Sequence, residues 1–243
     1  MLEINKDLHK IVCYPKFSKC EAKRRIKRLN ELGIERIINF GAIKINNFRI
    51  LGKGTNSIVV KAIYNGKEVA IKIRRTDSSR KTLLHEANIL KKVNSESIGP
   101  ILYKRSKDFL IMEYIEGFQI DNFIQASNFN EIKKVIIELL IQCRKLDKLG
   151  IDHGELSRPN KHVLITSDYK VKIIDFESAS VKRNPKNLTS ILSYLLYRNE
   201  IITKILKNNE HFLNIIRKIL MNYKKHKKDE DFNKILSLIE TVL

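Results

Sequence analysis

The 243-residue sequence predicts an α+β chain in two lobes, a strand-rich one first and a helical one after it. Three observations predict this. Between positions 48 and 114 apolar and polar residues alternate with a period of two in short runs. From about position 130 the apolar residues recur at helical spacing instead. No internal repeat and no long linker interrupts that order.

Taken in order, Ser18-x-x-Glu21 is a capping box, in which Ser18 accepts from an early helical amide while Glu21 reaches back. It starts a helix over about 19–32 that stops near Gly33. Ala22, Ile26 and Leu29 form a narrow apolar stripe, and Lys23, Arg24, Arg25, Lys27 and Arg28 cover the rest. Two readings stay open: a solvated helix docked on the following lobe, or a basic recognition helix for RNA or a ribosome. Residues 1–47 read as a basic N-terminal extension carrying this one helix. Residues 48–52, 58–64 and 68–74 read as strands, 78–93 as a helix, and 101–103 and 109–114 as two more strands. Gly117 marks a break, so 48–117 form one lobe and 118–243 the second, mainly helical one. There, 130–149 is a long helix bearing Ile132, Val135, Ile136, Leu139, Leu140 and Leu146. Residues 163–165 and 171–174 form a hairpin around Thr166-Ser-Asp-Tyr, and the chain reads as helical after Asp175.

Composition narrows the function classes. With 43% hydrophobic residues the chain buries a sizeable core. No run reaches the ~18 uncharged apolar residues of a membrane helix, because the most apolar stretch, 135–141, contains Glu138. The N-terminus lacks a signal-peptide pattern. Cys13, Cys20 and Cys143 have neither zinc nor redox spacing. A reduced cytoplasm is the default expectation. Net charge is +20: +6 over residues 1–47, +7 over 182–243, and +7 over the residues between. A basic surface attracts polyanions such as RNA or nucleotides, although a Lys- and Ile-rich composition also raises it without any partner.

Several segments carry chemistry. Gly52-Lys-Gly54-Thr-Asn-Ser57 joins two strands, and glycine there lets backbone amides approach phosphates. Because strand rather than helix follows, it is not a Rossmann or Walker loop. Val69-Ala-Ile-Lys72 lies on the third strand. Glu86, on the inner side of the next helix, needs a partner if buried. Met112-Glu-Tyr-Ile-Glu-Gly117 ends a strand in a polar turn. Ile151-Asp-His-Gly-Glu-Leu-Ser-Arg-Pro-Asn160 precedes the hairpin, and Ile173-Ile-Asp-Phe-Glu177 follows it. Asp175, acidic and just past an apolar strand, is the best metal-ligand candidate.

Glycine loop, lysine, glutamate, hinge, His-x-Glu loop and Asp-Phe-x, in this order over residues 48–180, resemble the protein-kinase superfamily. Within it, the chain is most similar to small predicted archaeal serine/threonine kinases with a His-Gly-Glu-Leu-Ser-Arg-Pro loop. The resemblance implies a bilobal protein-kinase-like fold with a reduced C-lobe, and transfer of the ATP γ-phosphoryl group to a Ser or Thr hydroxyl of a protein. It implies that Gly52, Gly54, Ser57, Val59, Ala70, Lys72 and Glu86 serve the nucleotide, with the backbone at Glu113, Tyr114 and Ile115 meeting adenine. Ser57 stands where the pattern has its third glycine, which is tolerable if the residue points outward. Glu155 stands where the pattern has the catalytic Asp, with Arg158 or Lys161 supplying positive charge and His153 bracing the loop. Mg²⁺ would be held by Asp175 and by either Asn160, which is five residues after Glu155 and a hard oxygen ligand, or His162, which matches when counted back from Asp175. Glu177 replaces the glycine of a mobile switch, and Asp-Phe-Glu also occurs in choline-type kinases. Only 68 residues follow Asp175, and Asn184-Pro185 resembles the shortened ending of atypical and small-molecule kinases. A small-molecule kinase and a nucleotide-binding scaffold associated with RNA are the rival readings.

Overall fold

A computed structural model of the protein describes residues 6–206 and 209–242. The chain divides into two compact units. One runs to Asn94 and takes in Pro100–Ile115; the other holds Ser95–Gly99 and continues from Glu116.

The first unit is built on a sheet of order β1-β5-β6-β8-β7, with β4 also paired to β5. Its centre is the hairpin of β5 (Ser57–Tyr64) and β6 (Lys67–Arg74). Asn65-Gly66 turns it with both residues at positive φ, the backbone that matches strand twist in a two-residue loop. β8 (Phe109–Glu113) continues the sheet from β6 and β7 (Leu102–Arg105) closes that edge. β4 is Gly52–Lys53, and β2 (Ile43–Ile45) pairs with β3 (Phe48–Ile50) as a separate ribbon. α3 spans Leu84–Asn94. It starts later than the periodicity suggests because Ser78 and Ser79 donate to the Asn56 side chain and Thr82 accepts from the Leu84 amide.

Residues 1–47 differ most from the expectation of a one-helix extension. They contain α1 (Lys6–Val12), α2 (Lys19–Glu31), β1 (Ile34–Ile38) and β2. Leu8, Ile11, Val12, Ala22, Ile26 and Leu29 share one core with Val60, Ile71, Ile73 and Ile111. β1 pairs antiparallel with β5. Gly33 takes φ +86 just past α2, where its amide donates to Asn30 and a side chain would be strained. Arg25 is 0% exposed. It donates to the carbonyls of Val12 and Arg74, both at 2.6 Å, and to Glu21 at 2.7 Å. The capping box is therefore half formed: the Ser18 hydroxyl accepts from the Glu21 amide, but the Glu21 carboxylate is taken by Arg24 and Arg25. Charge-assisted bonds outcompete the neutral reach-back, and with the Arg24 contact leading they hold the Glu21 carboxyl down to about 2.

In the second unit α5 (Phe129–Lys148) starts in a complete capping box of Asn128 and Glu131. It buries the predicted stripe and packs against α6 (Asn187–Tyr197) and α9 (Asp229–Val242). β9 (Phe118–Gln119), β10 (Val163–Ile165) and β11 (Val171–Ile173) form a small sheet with β10 central. α4 (Ile120–Ala126), α7 (Glu200–Leu206) and α8 (Glu210–His226) complete the described helices. After Asp175 the chain makes one 3-10 turn over Phe176–Ser178, and the α-helices begin only at α6. Before that, Ser180 bridges to Asp152 through two backbone hydrogen bonds of 2.9 Å. Asp147 on α5 accepts from the Asn187 and Leu188 amides and from the Tyr223 hydroxyl. Burial outweighs these bonds and raises its carboxyl. The Asn187 side chain in turn donates to Ile151 and accepts from the His153 amide, which fixes the start of the His-Gly-Glu loop. None of the described helices is long and apolar enough to cross a membrane.

Candidate functional site

In the first unit the sheet register gathers the residues. Gly52 lies opposite Val59, Val59 opposite Lys72, and Lys72 opposite Leu110; Lys61 lies opposite Ala70 and Ala70 opposite Met112. Opposed and alternate residues share a sheet face, so Gly52, Val59, Lys61, Ala70 and Lys72 stand on one face. Lys72 Nζ is 2.8 Å from each oxygen of Glu86, both side chains at most 5% exposed. The lysine and glutamate that the resemblance assigns to the nucleotide thus form an ion pair. Gly54 closes the loop tightly, its amide donating to the Ser57 carbonyl at 2.8 Å. Its own carbonyl accepts from Arg75, which also pairs with Asp77. Ser57 departs from expectation: it is 3% exposed and belongs to β5 opposite Arg74, so it is not an outward loop position. The Glu113 amide is committed to the Ile101 carbonyl at 2.8 Å, and its carboxylate accepts from the Ile101 amide. The Glu113 amide is thus already engaged within its own unit. Sequence reasoning missed Lys61, a buried lysine paired with Glu68 and lying over the rings of Phe40 and Tyr114. The hairpin register two residues past Val59 would have found it.

In the second unit the loop from Asp152 to His162 is fixed from several sides. Gly154 has φ +90, and an added Cβ would lie 2.6 Å from an Arg183 nitrogen. Arg183 donates to the Asp152 carboxylate at 2.7 Å and to the Ser178 carbonyl at 2.7 Å. Glu155 uses both oxygens: Oε1 accepts from the Ser178 hydroxyl at 2.5 Å, and Oε2 lies 3.0 Å from His162 Nε2. His162 follows a 3-10 turn over Pro159–Lys161, its amide donates to Pro159, and its carbonyl accepts from Ile174. Its Nδ1 lies 3.8 Å from Asp175 Oδ2. Asp175 itself has φ +64, uncommon for a non-glycine residue. His153 is fully buried, bonded through Nε2 to the Ile174 carbonyl, and packed edge-on against Phe176 and His162. Burial, the largest cause, pushes it down to about 4, so it is a neutral brace. Ser178 and Arg183 carried no signal in the sequence.

Of the two metal-ligand alternatives, the structure brings His162 beside Asp175. Asn160 is turned away, its side-chain oxygen accepting from the Asp121 amide at 3.4 Å. Arg158 is exposed and donates its amide to the Glu155 carbonyl. A carboxylate and an imidazole fit a divalent cation, but Mg²⁺ favours oxygen ligands throughout, so this donor set fits the general class better than Mg²⁺ in particular.

The basic helix α2 is not uniformly available to a polyanion. Arg24 pairs with Glu21 and Asp108, Arg25 is buried, and Arg28 pairs with Glu31. Lys19, Lys23 and Lys27 are exposed.

The family model of the protein kinase domain matches residues 45–229. An uncharacterized protein of Methanocaldococcus jannaschii is 33% identical over 117 residues, 48% of this chain and 99% of that one. The serine/threonine-protein kinase cds1 of Schizosaccharomyces pombe is 31% identical over 153 residues, 55% of this chain and 32% of that protein. The KEOPS complex subunit Bud32 of Pyrococcus abyssi is 30% identical over 120 residues, 48% and 51% of the two chains. The chain thus spans less than two thirds of the length of the latter two proteins.

Proposed function

The chain belongs to the protein kinase domain family, and from that premise we propose that it transfers the γ-phosphoryl group of ATP to a Ser or Thr hydroxyl of a protein. One observation carries the acceptor half of this reading. Glu155 Oε1 already accepts from a serine hydroxyl, that of Ser178, at 2.5 Å, the contact a general base must make with an acceptor. The longer side chain of Glu155 therefore still reaches a hydroxyl. A relative described as a serine/threonine-protein kinase supports the same acceptor class.

Each unit has its own part. In the first, Lys72 contacts the α- and β-phosphates and Glu86 keeps its ammonium in place, with Gly52, Gly54, Val59 and Ala70 around the nucleotide and Ile115 offering the adenine donor. In the second, Glu155 orients the acceptor hydroxyl and takes its proton. Asp175 and His162 would hold a divalent cation, which would supply positive charge against the phosphates. Arg158, exposed three residues after Glu155, would supply positive charge to the transferring group. Should RNA be a partner, Lys19, Lys23 and Lys27 are the residues that would meet it.

The test is incubation with γ-labelled ATP and a divalent cation, with and without a mixed protein extract. Label on Ser or Thr, in wild type and not in Lys72→Ala, is the expected result. Label only on small molecules would replace this reading with the small-molecule kinase suggested by Asp-Phe-Glu. ATP binding without transfer to any acceptor would leave a nucleotide-binding scaffold.

A further inference from the structure

We infer that Ser178 is an intramolecular phosphoryl acceptor: the chain phosphorylates its own Ser178, with Glu155 taking the hydroxyl proton. The inference rests on the proposed kinase reading for the delivery of ATP, and goes beyond it in naming an acceptor residue and the molecule that carries it. The Ser178 hydroxyl donates to Glu155 Oε1 at 2.5 Å, the short end for a hydroxyl on a carboxylate. The other oxygen, Oε2, lies 3.0 Å from His162 Nε2, so the carboxylate is held from both sides. The contact is not sealed in the core. Ser178 is half-buried, and the Glu155 side chain is 43% exposed.

The backbone keeps the hydroxyl in place. Ser178 ends the 3-10 turn Phe176–Ser178, and the Ala179 amide donates back to the Phe176 carbonyl. The Ser178 carbonyl accepts from Arg183 Nη2 at 2.7 Å. Two residues on, Ser180 is bridged to Asp152 through its backbone, and its hydroxyl accepts from the Lys182 amide at 3.1 Å. Ser178 and Ser180 thus form a built-in comparison, with the same hydroxyl in the same segment on different partners. Because Ser178 and Glu155 belong to one unit, a positioned contact replaces the collision of two molecules.

In the step itself, Ser178 Oγ attacks the γ-phosphorus of ATP. The Oγ–P bond forms as the bond from the γ-phosphorus to the β,γ-bridging oxygen breaks. The hydroxyl proton passes to Glu155, and ADP leaves with the electron pair of the broken bond. The product is a phosphoserine carrying about −1.5 to −2 charge. The Glu155 carboxylate repels that charge, so the modified side chain turns off the base. Arg183 stands next to it: Nη2 already donates to the Ser178 carbonyl, and the side chain is 49% exposed. A phosphate on an exposed guanidinium forms charge-assisted hydrogen bonds.

The experiment uses the full chain, first treated with a phosphatase, then incubated with γ-labelled ATP and a divalent cation, with and without a mixed protein extract. Trypsin leaves Ser178 and Ser180 on one peptide, 173–182, and its fragmentation in a mass spectrometer assigns the phosphate. Phosphate is expected on Ser178 and not on Ser180. The fraction labelled per minute should stay constant over about a tenfold dilution of the protein, as transfer within one molecule requires. Ser178→Ala and Lys72→Ala should each lose the label from this peptide, and Ser178→Thr should keep it. Thermal melts report whether the variants fold, and the site assignment in wild type stands without them. An unlabelled peptide 173–182 in a protein that labels the extract would overturn the inference and leave the kinase reading intact. So would phosphate on Ser180 in place of Ser178, or a labelled fraction that falls with dilution, which marks transfer between molecules. Label on neither the chain nor the extract would remove the kinase reading, and the inference with it.

Discussion

Replacing Arg25 by alanine should cost more stability than any substitution at the exposed basic positions of α2. Its guanidinium is fully buried and donates to the Val12 carbonyl, the Arg74 carbonyl and the Glu21 carboxylate. It also lies 3.4 Å from Asp108. Breaking a buried ion pair from one side costs about 3–5 kcal/mol, and each buried carbonyl left unpaired about 1–3 kcal/mol. Asp108 keeps Arg24 and Arg74 as partners and Glu21 keeps Arg24, so neither charge is abandoned and the loss is mainly that of the two carbonyls, about 3 kcal/mol together. With a urea slope of about 2 kcal/mol per molar, the midpoint should fall by about 1.5 M. Urea titration followed by far-ultraviolet circular dichroism measures this, with Lys23→Ala as the exposed comparison, expected within about 0.5 kcal/mol of wild type. Should Arg25→Ala unfold at the same urea concentration as Lys23→Ala, the buried guanidinium does not hold α2 to its lobe. The same reasoning changes how RNA binding must be tested: neutralising Arg25 would destabilise the fold, so Lys19, Lys23 and Lys27 are the informative positions.

Three further outcomes are expected. Mg-ATP or Mn-ATP at about 100 times its dissociation constant should stabilise the fold by about 2.7 kcal/mol, and Lys72→Ala should reduce that shift in a thermal melt while leaving the unliganded protein folded. Glu155→Gln should abolish phosphoryl transfer while ATP still raises the melting temperature, and Glu155→Asp should lose about 100-fold in rate, since a carboxylate withdrawn by one methylene is misplaced by about 1 Å; full activity in Glu155→Gln would remove it as the base. His153 stays neutral in the fold down to about 4 and titrates near 6.5 when unfolded, so the unfolded chain gains a proton the fold refuses as pH drops. Its contribution is fully present above about 6.5 and is lost as pH falls toward 4, on the order of 3 kcal/mol in all. Urea midpoints measured across this range in wild type and His153→Gln should diverge; parallel curves would mean that His153 is not held neutral.

Much of the fold was legible in the chain because its signals are local. The alternating strands over 58–64 and 68–74 and the helical stripe of α5 each depend on residues within a few positions. So did the ordered motifs that placed Lys72, Glu86, Glu155 and Asp175. The rest depended on groups far apart in sequence. Arg25 reads as one more surface charge until the carbonyls of Val12 and Arg74, 13 and 49 positions away, close around it. α1 and β1 lack strong local patterns, and their apolar residues find meaning only against the sheet they cover. Counting forward from Glu155 pointed to Asn160, the better ligand chemically, and counting back from Asp175 pointed to His162. Tertiary structure separated them: the hydrogen bond from Ile174 to the His162 carbonyl carries that imidazole to Asp175, while the Asn160 amide turns to Asp121. A sequence records which donors exist; only the packed backbone determines which of them meet.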